Sequence, residues 1–245
     1  MPTPSDAVRD AALSVPRTAR QRARTEITRE IIETARRHLA ESGAAGLSLR
    51  AVARDLGMVS SAVYRYFPSR DDLLTALIIE SYEHLGDAVA RSEAQLRRGD
   101  LVGRWLAVCH AVRDWALANP HEYALLYGSP VPGYAAPQDT VPAGTRVPML
   151  LMQLSADIID AGMSPEPQRV PRAVHGSLVP LREGSGLPGS VPDDSIVRGI
   201  MAWTTLFGAV SLELFGQYGD GIADPRALFD HEMHRIAALL VAPDQ

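Results

Sequence analysis

The chain has 245 residues and a mass of 26.5 kDa, which is enough for one large domain or for a small and a medium domain. Apolar residues make up 46% and charged residues 22% of the chain, a composition typical of soluble globular proteins. No apolar run approaches the ~18 residues of a membrane span, and the N-terminus lacks the apolar segment of a secretory signal. The single cysteine, Cys109, excludes an internal disulfide, so we expect a cytoplasmic protein.

The net charge of −5 conceals a difference between the two ends of the chain. Residues 1–70 contain 12 arginines and 7 acidic residues, a net charge of +5, whereas residues 71–245 contain 12 arginines and 22 acidic residues, a net charge of −10. The absence of lysine is explained more simply by a coding bias towards arginine than by function. A basic N-terminal segment followed by an acidic remainder, however, predicts a negatively charged partner that contacts the N-terminal segment only.

The first third of the chain predicts a basic arm and four helices. Residues 1–24 are first polar and proline-bearing and then basic, which predicts a disordered arm. Gly43 and Gly57 stand where glycines terminate helices, and Ser69-Arg70-Asp71-Asp72 is a capping box that begins a long helix. The four helices are expected at 25–43, 48–56, 60–66 and from 69 to about 97.

The rest of the chain also predicts helices alone. Apolar residues recur at helical spacing, and no alternating strand pattern or repeat is present. Asp193 or Asp194 is expected to cap a long apolar helix, and Asp224-Pro225 combines an N-cap with a proline at the first helical position. Helices are expected at about 101–118, 121–127, 146–162, 194–215 and 225–241, with proline- and glycine-rich loops at 128–145 and 164–193.

Residues 47–74 contain the pattern of a helix-turn-helix. Two short helices meet at the Gly57 turn, and Val63 and Phe67 are expected to hold the second helix against the first. Small residues at the start of that second helix allow its backbone to approach base edges, while arginine and tyrosine supply hydrogen bonds and methyl contacts. The outer face is expected to carry Ser60, Ser61, Ala62, Tyr64, Arg65 and Tyr66.

Residues 25–74 resemble the DNA-binding domain of the TetR family of bacterial regulators. The matching features are Ser48, the glycine turn at Gly57, the Tyr64–Phe67 segment that ends the recognition helix, and Arg70 at the start of helix four. The resemblance implies an all-α fold: an N-terminal three-helix helix-turn-helix domain joined by a long fourth helix to a helical dimerisation and ligand-binding bundle. The implied domains are an arm (1–24), a DNA-binding domain (25–70) and an effector and dimerisation domain (71–245).

The resemblance also implies roles for the matching residues. Ser48 and Tyr64 are expected to bind phosphates, Arg50 a base or a nearby phosphate, and Arg70 a phosphate from the start of the fourth helix. One position departs from the family pattern, because Val59 stands where a small polar residue caps the recognition helix. Ser60 is the candidate replacement, which would shift the helix start by one residue. The residues expected to face the groove are Ser60, Ser61, Ala62, Arg65 and Tyr66.

The helix expected at 194–215 is apolar on two faces. One face is expected to pack on its own core and the other, with a glycine and an alanine that allow close approach, on a second subunit. A large monomeric bundle is the alternative. The segment around it, AWTTLFGAVSLELFGQY, also resembles one TetR subgroup with a tryptophan- and glycine-bearing dimer domain. The predicted dimer interface contains Met201, Thr205, Gly208, Ala209, Leu212, Phe215, Phe229, Met233, Ile236 and Leu240.

An effector pocket in the second domain is implied by the family, in which a small, often apolar molecule moves the fourth helix and releases DNA. The ligand must favour the non-DNA state, since only differential affinity shifts an equilibrium. Each candidate residue is equally suited to an ordinary core. The candidates are Trp105, Cys109, Tyr123, Tyr127, Met149, Met152, Gln153, Trp203 and Phe207.

Other motifs have simpler explanations. The segment 184–189 matches G-x-G-x-x-G but follows no strand, so we interpret it as a loop. His231 and His234 lie three apart without a third ligand, which favours a solvated helix face over a metal site. Cys109 lies in an apolar helical pattern, typical of a buried thiol, and no constellation of catalytic residues or cofactor motif is found.

The sequence therefore predicts a non-enzymatic regulator without a cofactor or a metal. The TetR resemblance implies a homodimeric repressor that a small apolar effector releases from a palindromic operator in double-stranded DNA. A helical protein-interaction adaptor is the alternative, and a steep loss of DNA affinity with salt would separate the two.

Overall fold

The computed structural model describes residues 18–185 and 187–242. These residues form eleven α-helices and two short 3-10 segments, with no strand among them, so the all-α prediction is confirmed. They divide into two compact units, one that ends at Leu77 and one that begins at Ile78.

The N-terminal unit is built from helices α1 to α3 and the first turns of α4. Every one of these helices contributes buried apolar side chains to its core. The helices are α1 (Ala19–Gly46), α2 (Leu49–Asp55), α3 (Ser60–Val63) and α4 (Arg70–Glu93). The buried side chains include Ile31, Ile32, Ala35, Leu39, Leu49, Val52, Ala53, Val63, Phe67, Leu73, Leu74 and Leu77.

Helix α1 begins at Ala19, six residues before the predicted start at Thr25. The prediction of a disordered arm is wrong for its last residues, because Thr18 and Gln21 form a capping box that satisfies free backbone donors of the first turn. Arginine is also a good helix former. Residues 1–17 of the predicted arm lie outside the described residues. The expected break at Gly43 is present, since its φ of 67° interrupts the helical backbone inside α1.

Helix α4 begins as its sequence predicted. The Ser69 backbone N–H and hydroxyl both donate to the Asp72 carboxylate, at 2.9 and 2.7 Å, and the Asp72 N–H donates back to the Ser69 hydroxyl at 3.1 Å. This reciprocal arrangement fixes the first turn of the helix.

The C-terminal unit begins within α4 and continues through seven further helices. The predicted cap of the last helix is present, since Asp224 accepts from the Ala227 N–H at 2.9 Å. Asp100, which was not predicted as a cap, accepts from the Gly103 N–H at the start of the helix that begins at Leu101, also at 2.9 Å. The helices are α5 (Leu101–Ala118), α6 (Pro120–Tyr127), α7 (Val141–Gly144), α8 (Arg146–Asp160), α9 (Arg172–Ser185), α10 (Asp193–Leu214) and α11 (Pro225–Leu240).

Two segments that were predicted as loops contain helices. Residues 128–145 include a 3-10 segment (Gln138–Thr140) and α7, and residues 164–193 include α9. Proline can occupy the first turn of a helix, as Pro142 does in α7. Helix α9 contains Pro180 and is largely exposed, with Leu178 its buried residue, and the proline and glycines of this segment are typical of a loop.

The start of α10 also differs from the prediction. Pro192 is the N-cap of α10, so neither predicted aspartate caps it. Asp193 instead accepts hydrogen bonds from α9, at 2.6 Å from the Arg182 guanidinium and at 2.5 Å from the His175 ring. The Arg182 guanidinium and then the His175 ring hold the pKa of Asp193 below its ordinary value. Gly186, in the G-x-G-x-x-G match, lies outside the described residues.

Helices α5, α10 and α11 form the centre of the C-terminal unit. The indole N–H of Trp105 donates to the Met233 carbonyl at 2.9 Å, and the Arg113 guanidinium binds both oxygens of Glu213 at 2.5 and 2.8 Å. These buried polar contacts fix the register between α5 and its two neighbours. The core includes Leu85, Val89, Leu101, Trp105, Val108, Cys109, Val112, Tyr123, Leu154, Ile158, Leu206, Phe207, Val210, Phe229 and Met233.

Helix α10 alone among the described helices is long and apolar enough to cross a membrane by length and composition. It has 22 residues, a mean hydropathy of 1.3 in its most apolar window and only 39% of that window buried in the chain. It also contains the buried Arg198 and the ion-paired Glu213, which have partners inside the protein. The hydropathy is therefore accounted for by a core helix with a second apolar face.

Candidate nucleic-acid interface

The α2–turn–α3 segment has the local geometry of a helix-turn-helix. Gly57 has a φ of 65°, a left-handed conformation that favours glycine. The turn is closed by the Gly57 N–H, which donates to the Arg54 carbonyl at 3.0 Å, and by the Met58 N–H, which donates to Ala53 at 2.8 Å. Val63 and Phe67 are buried, as the sequence predicted, so α3 is fixed against α2 by its inner face.

A second contact fixes α2 from the side of α1. The His38 ring lies 2.6 Å from the Asp55 carboxylate, at the end of α2. This hydrogen bond holds the pKa of Asp55 below its ordinary value. The sequence analysis missed this pair, because residues 17 apart in the chain show no spacing signal.

The predicted DNA-binding residues fall into two groups. Arg50, Ser61, Tyr64 and Arg65 are exposed on the N-terminal unit, available to a partner. The others are half-buried, and two of these, Tyr66 and Arg70, have specific partners inside the unit. The half-buried residues are Ser48, Ser60, Ala62, Tyr66 and Arg70.

The start of the recognition helix differs from expectation. Val59, not Ser60, is the N-cap of α3, and no side chain caps the helix. Ser60 is the first helical residue, so the predicted shift by one residue does not occur. The predicted helix over 60–66 is regular only to Val63 and continues as hydrogen-bonded turns to Tyr66, whose N–H donates to Val63 at 2.9 Å.

A better cap at position 59 is expected to stabilise the N-terminal unit. Val59 is 70% exposed, so its replacement costs little packing, and a serine there can accept from a free N–H of the first turn. We expect Val59→Ser to raise the free energy of unfolding by about 1 kcal/mol, measured by denaturant or thermal unfolding. Val59→Ala is the matched control, and an equal gain in that variant would contradict the capping explanation.

Arg70 is bound to the end of α1. Its guanidinium donates to the Ala44 carbonyl at 2.6 Å and to the Leu47 carbonyl at 3.2 Å, and it lies 3.5 Å from Asp71. Helices end with carbonyls that lack intrahelical partners, and Arg70 satisfies two at the α1–α2 junction. The phosphate role expected for Arg70 stays a prediction, and the structure adds a positioning role, because this side chain ties the start of α4 to the α1–α2 junction.

Removal of Arg70 is expected to destabilise the protein itself. Arg70→Ala removes two charge-assisted hydrogen bonds, and we expect a loss of about 2 kcal/mol in the free energy of unfolding. Arg65→Ala is the matched comparison, since Arg65 is exposed: we expect unchanged stability and a loss of base preference of about 1–3 kcal/mol. Unfolding curves of the two variants that coincide would contradict the positioning role.

Tyr66 is covered on one ring face by Arg24. The guanidinium carbon lies 5.2 Å from the ring centre, a cation–π contact between α1 and the turn that follows α3. Tyr66 was predicted to face the groove. The structure places one face of its ring against Arg24 of α1, and the groove contact of Tyr66 stays a prediction. The only sequence signal of the Arg24 contact is the basic character of residues 17–24.

The residues predicted to line an effector pocket are divided between core and surface. Three of the aromatic ones form a cluster of tilted rings: the Tyr127 and Phe207 ring centres lie 4.5 Å apart, and those of Trp203 and Phe207 4.2 Å apart. Burial raises the pKa of Tyr127 well above its ordinary value. Trp105, Cys109, Tyr123 and Phe207 are buried, Tyr127, Met152 and Trp203 are half-buried, and Met149 and Gln153 are exposed.

The C-terminal unit contains a shallow cavity that is not lined by the predicted effector residues. It has a volume of about 20 Å³, room for roughly one water molecule. Its lining combines three serine hydroxyls with the buried Arg198 guanidinium. It is lined by Ser155, Ile158, Ile159, Ser164, Ser195, Arg198 and Leu240.

The predicted dimer interface needs correction at three positions. Ala209, Phe229 and Met233 are buried in the core of their own chain, because α11 turns its apolar side towards α5 and α10. The remaining positions on α10 form a partly exposed stripe. Its members are Met201, Thr205, Gly208, Leu212 and Phe215, and Ile236 and Leu240 on α11 are half-buried.

Two family models match the chain. Residues 31–77 match the model described as bacterial regulatory proteins, tetR family, and residues 105–236 match the model described as tetracyclin repressor-like, C-terminal domain. The second match alone spans more than half of the chain. The chain belongs to the TetR family. The resemblance noted in residues 25–74 is thus confirmed and extended to the C-terminal unit.

Similar proteins agree with this assignment. The HTH-type transcriptional regulator Rv1816 of Mycobacterium tuberculosis is 44% identical over 229 residues, which are 90% of this chain and 95% of that protein. The HTH-type transcriptional regulator Mb1846 of Mycobacterium bovis matches to the same extent. Among solved structures, the protein SCO4313, described as a candidate regulatory protein, has a TM-score of 0.73 and 34% identity over 89% of this chain and 98% of that one.

The TetR assignment establishes the class of function. This TetR-family chain is a DNA-binding transcriptional regulator with an N-terminal helix-turn-helix domain and a helical C-terminal domain. The adaptor alternative is thereby set aside. Within the described residues, no group of three or more His, Cys, Asp or Glu side chains is placed to hold a metal ion.

Proposed function

We propose that this TetR-family regulator acts as a homodimeric repressor in the cytoplasm, without enzymatic activity. It would bind a palindromic operator and leave it when a small apolar effector binds. The observation that carries the proposal is the exposed apolar stripe on α10, which gives a helix-turn-helix protein the means to present two recognition helices. In a symmetric dimer these match two half-sites about 34 Å apart.

The DNA contacts would be of two kinds, contacts to phosphates or sugars and contacts to base edges. Arg50, Tyr64 and Ser48 would bind phosphates or sugars and set the register, and Ser61 and Arg65 would contact base edges. Support comes from the exposure of Arg50, Ser61, Tyr64 and Arg65 around α2 and α3, and from the net charge of +5 in residues 1–70.

The effector would bind by rearrangement of the aromatic cluster. The rings of Tyr123, Tyr127, Trp203 and Phe207 contact one another, so a ligand of drug size needs these side chains to move apart. An apolar or aromatic molecule is favoured, because the displaced contacts are apolar and aromatic. Trp203 offers a direct reporter, since its contact with the Phe207 ring would change on binding.

The proposal is tested by titration of the purified protein against fluorescent duplexes from its own upstream region at two salt concentrations. We expect tight, salt-sensitive binding to one near-palindromic site with two subunits per site. Weak binding that is equal on unrelated DNA would contradict operator recognition. Compounds that release the operator should also change the fluorescence of the wild type but not of Trp203→Phe, which retains Trp105 and Trp115.

A further inference from the structure

Helix α1 begins with an acid-free stretch of arginines. Arg20, Arg22 and Arg24 are all exposed, and the first acidic residue of the described chain is Glu26. Among the described residues, no carboxylate lies within ion-pair distance of these three side chains. The next arginine on the helix differs, since Arg29 is paired with Glu26 at 2.6 Å.

Three carboxylates that follow this stretch in the chain are engaged elsewhere. Besides Glu26, the Glu33 carboxylate is paired with Arg36 at 2.5 Å, and the Asp55 carboxylate accepts from His38. The positive charge of the first turns of α1 is therefore not neutralised by these acids. Such unpaired surface arginines favour a polyanionic partner.

The contact of Arg24 with Tyr66 places this stretch beside the recognition helix. Arg24 lies over the Tyr66 ring at 5.2 Å, immediately after α3. Arg20 is four residues earlier and therefore on the same face of α1, about 6 Å further along its axis. The α1 face that carries both arginines is the face that meets the end of the recognition helix.

We propose that Arg20 and Arg24 bind DNA phosphates that flank the half-site, so that α1 is a second DNA-contacting element of each subunit. The inference rests on the proposed operator binding and adds residues outside the helix-turn-helix. An arginine that approaches DNA releases condensed counterions and binds phosphate oxygens through a planar fork. Tyr66 holds Arg24 in place before DNA arrives, which lowers the entropy lost when the contact forms.

The experiment measures operator affinity of the full chain from 50 to 200 mM salt. Log affinity falls as log salt rises, and each lost phosphate contact makes this negative slope shallower by about 0.9. Arg20→Ala/Arg24→Ala is expected to make it shallower by about 1.8, so the affinity ratio between the two salt concentrations shrinks roughly tenfold. Arg24→Ala alone should make the slope shallower by about 0.9. The change in slope should be equal for operator and unrelated DNA, because phosphate contacts do not depend on the base sequence.

Arg29→Ala is the matched control, because Arg29 lies on the same helix, is exposed and carries the same charge. We expect it to keep the wild-type slope. A double variant with the wild-type slope would overturn the inference, and so would an Arg29→Ala variant whose slope becomes as shallow as that of Arg24→Ala. Wild-type protein that binds no operator specifically would overturn the proposed function and this inference with it, whereas the first two outcomes overturn the inference alone.

Discussion

Leu212→Glu is expected to convert the protein into a monomer and to abolish tight operator binding. Leu212 lies in the middle of the exposed α10 stripe and is 39% exposed, and Met201 and Phe215 on the same stripe are 47% and 43% exposed. In a dimer this carboxylate would be buried without a partner, which costs several kcal/mol. An isologous interface would place two such charges across one two-fold axis.

The loss of DNA affinity follows from the loss of the second half-site. When two recognition helices are joined, the second binding event is intramolecular, and avidity exceeds the affinity of one module by about 10²–10⁴. We therefore expect at least roughly a 100-fold increase in the operator Kd, measured by fluorescence anisotropy, and a monomer mass by light scattering.

Leu117→Glu is the matched control for the dimer prediction. Leu117 is 40% exposed on α5, so the same substitution has the same intrinsic cost outside the α10 stripe. We expect it to remain dimeric. A Leu212→Glu protein that stays dimeric with wild-type affinity would show that the chain pairs through another surface, and the α10 interface would then have to be abandoned.

Arg104→Met is expected to cost about 3–5 kcal/mol of the free energy of unfolding. The Arg104 guanidinium is buried and lies 2.5 Å from Glu93, 2.8 Å from Asp157 and 2.9 Å from the Arg98 carbonyl. It therefore joins the end of α4, the following turn and α8 in one buried network. Methionine fills similar volume but removes the guanidinium that Glu93 and Asp157 share, and only Asp157 keeps a second arginine, Arg98 at 3.3 Å.

The expected loss corresponds to a decrease of roughly 6–20 °C in Tm for a chain of this size. Arg97→Met is the matched control, because Arg97 is exposed in the same turn, and we expect a change within about 0.5 kcal/mol. Arg104→Met combined with Glu93→Gln and Asp157→Asn removes the charges together and should recover much of the loss. Equal stability of Arg97→Met and Arg104→Met would contradict the network's role.

The same network predicts a pH dependence. Burial alone would raise the pKa of Asp157, but hydrogen bonds from Gln153 and Arg104 outweigh it, so the pKa lies below its ordinary value. The stabilisation is therefore complete above the ordinary pKa of an aspartate and is lost as pH falls through the lowered value. We expect the stability difference between wild type and Arg104→Met to shrink below about pH 4, followed by denaturant unfolding at several pH values.

The sequence by itself determined the number and order of the helices in the N-terminal unit and its class of function, although not the start of α1 or the end of α3. The capping box at Ser69–Asp72, the glycine turn at Gly57 and the apolar pair Val63 and Phe67 are local signals, and each holds in the structure. Local hydrogen bonding and helical periodicity fix such features within a few residues. The combination was specific enough to indicate the TetR family.

Only the tertiary structure decided which polar side chains have partners inside the protein. Arg70 binds the end of α1, Arg24 covers Tyr66, and Asp193 is engaged by α9 rather than capping α10. These contacts join residues that are distant in the chain, and no spacing rule predicts them. The same holds for Phe229 and Met233, because periodicity shows that a helix has an apolar face but not whether that face meets its own core or a second subunit.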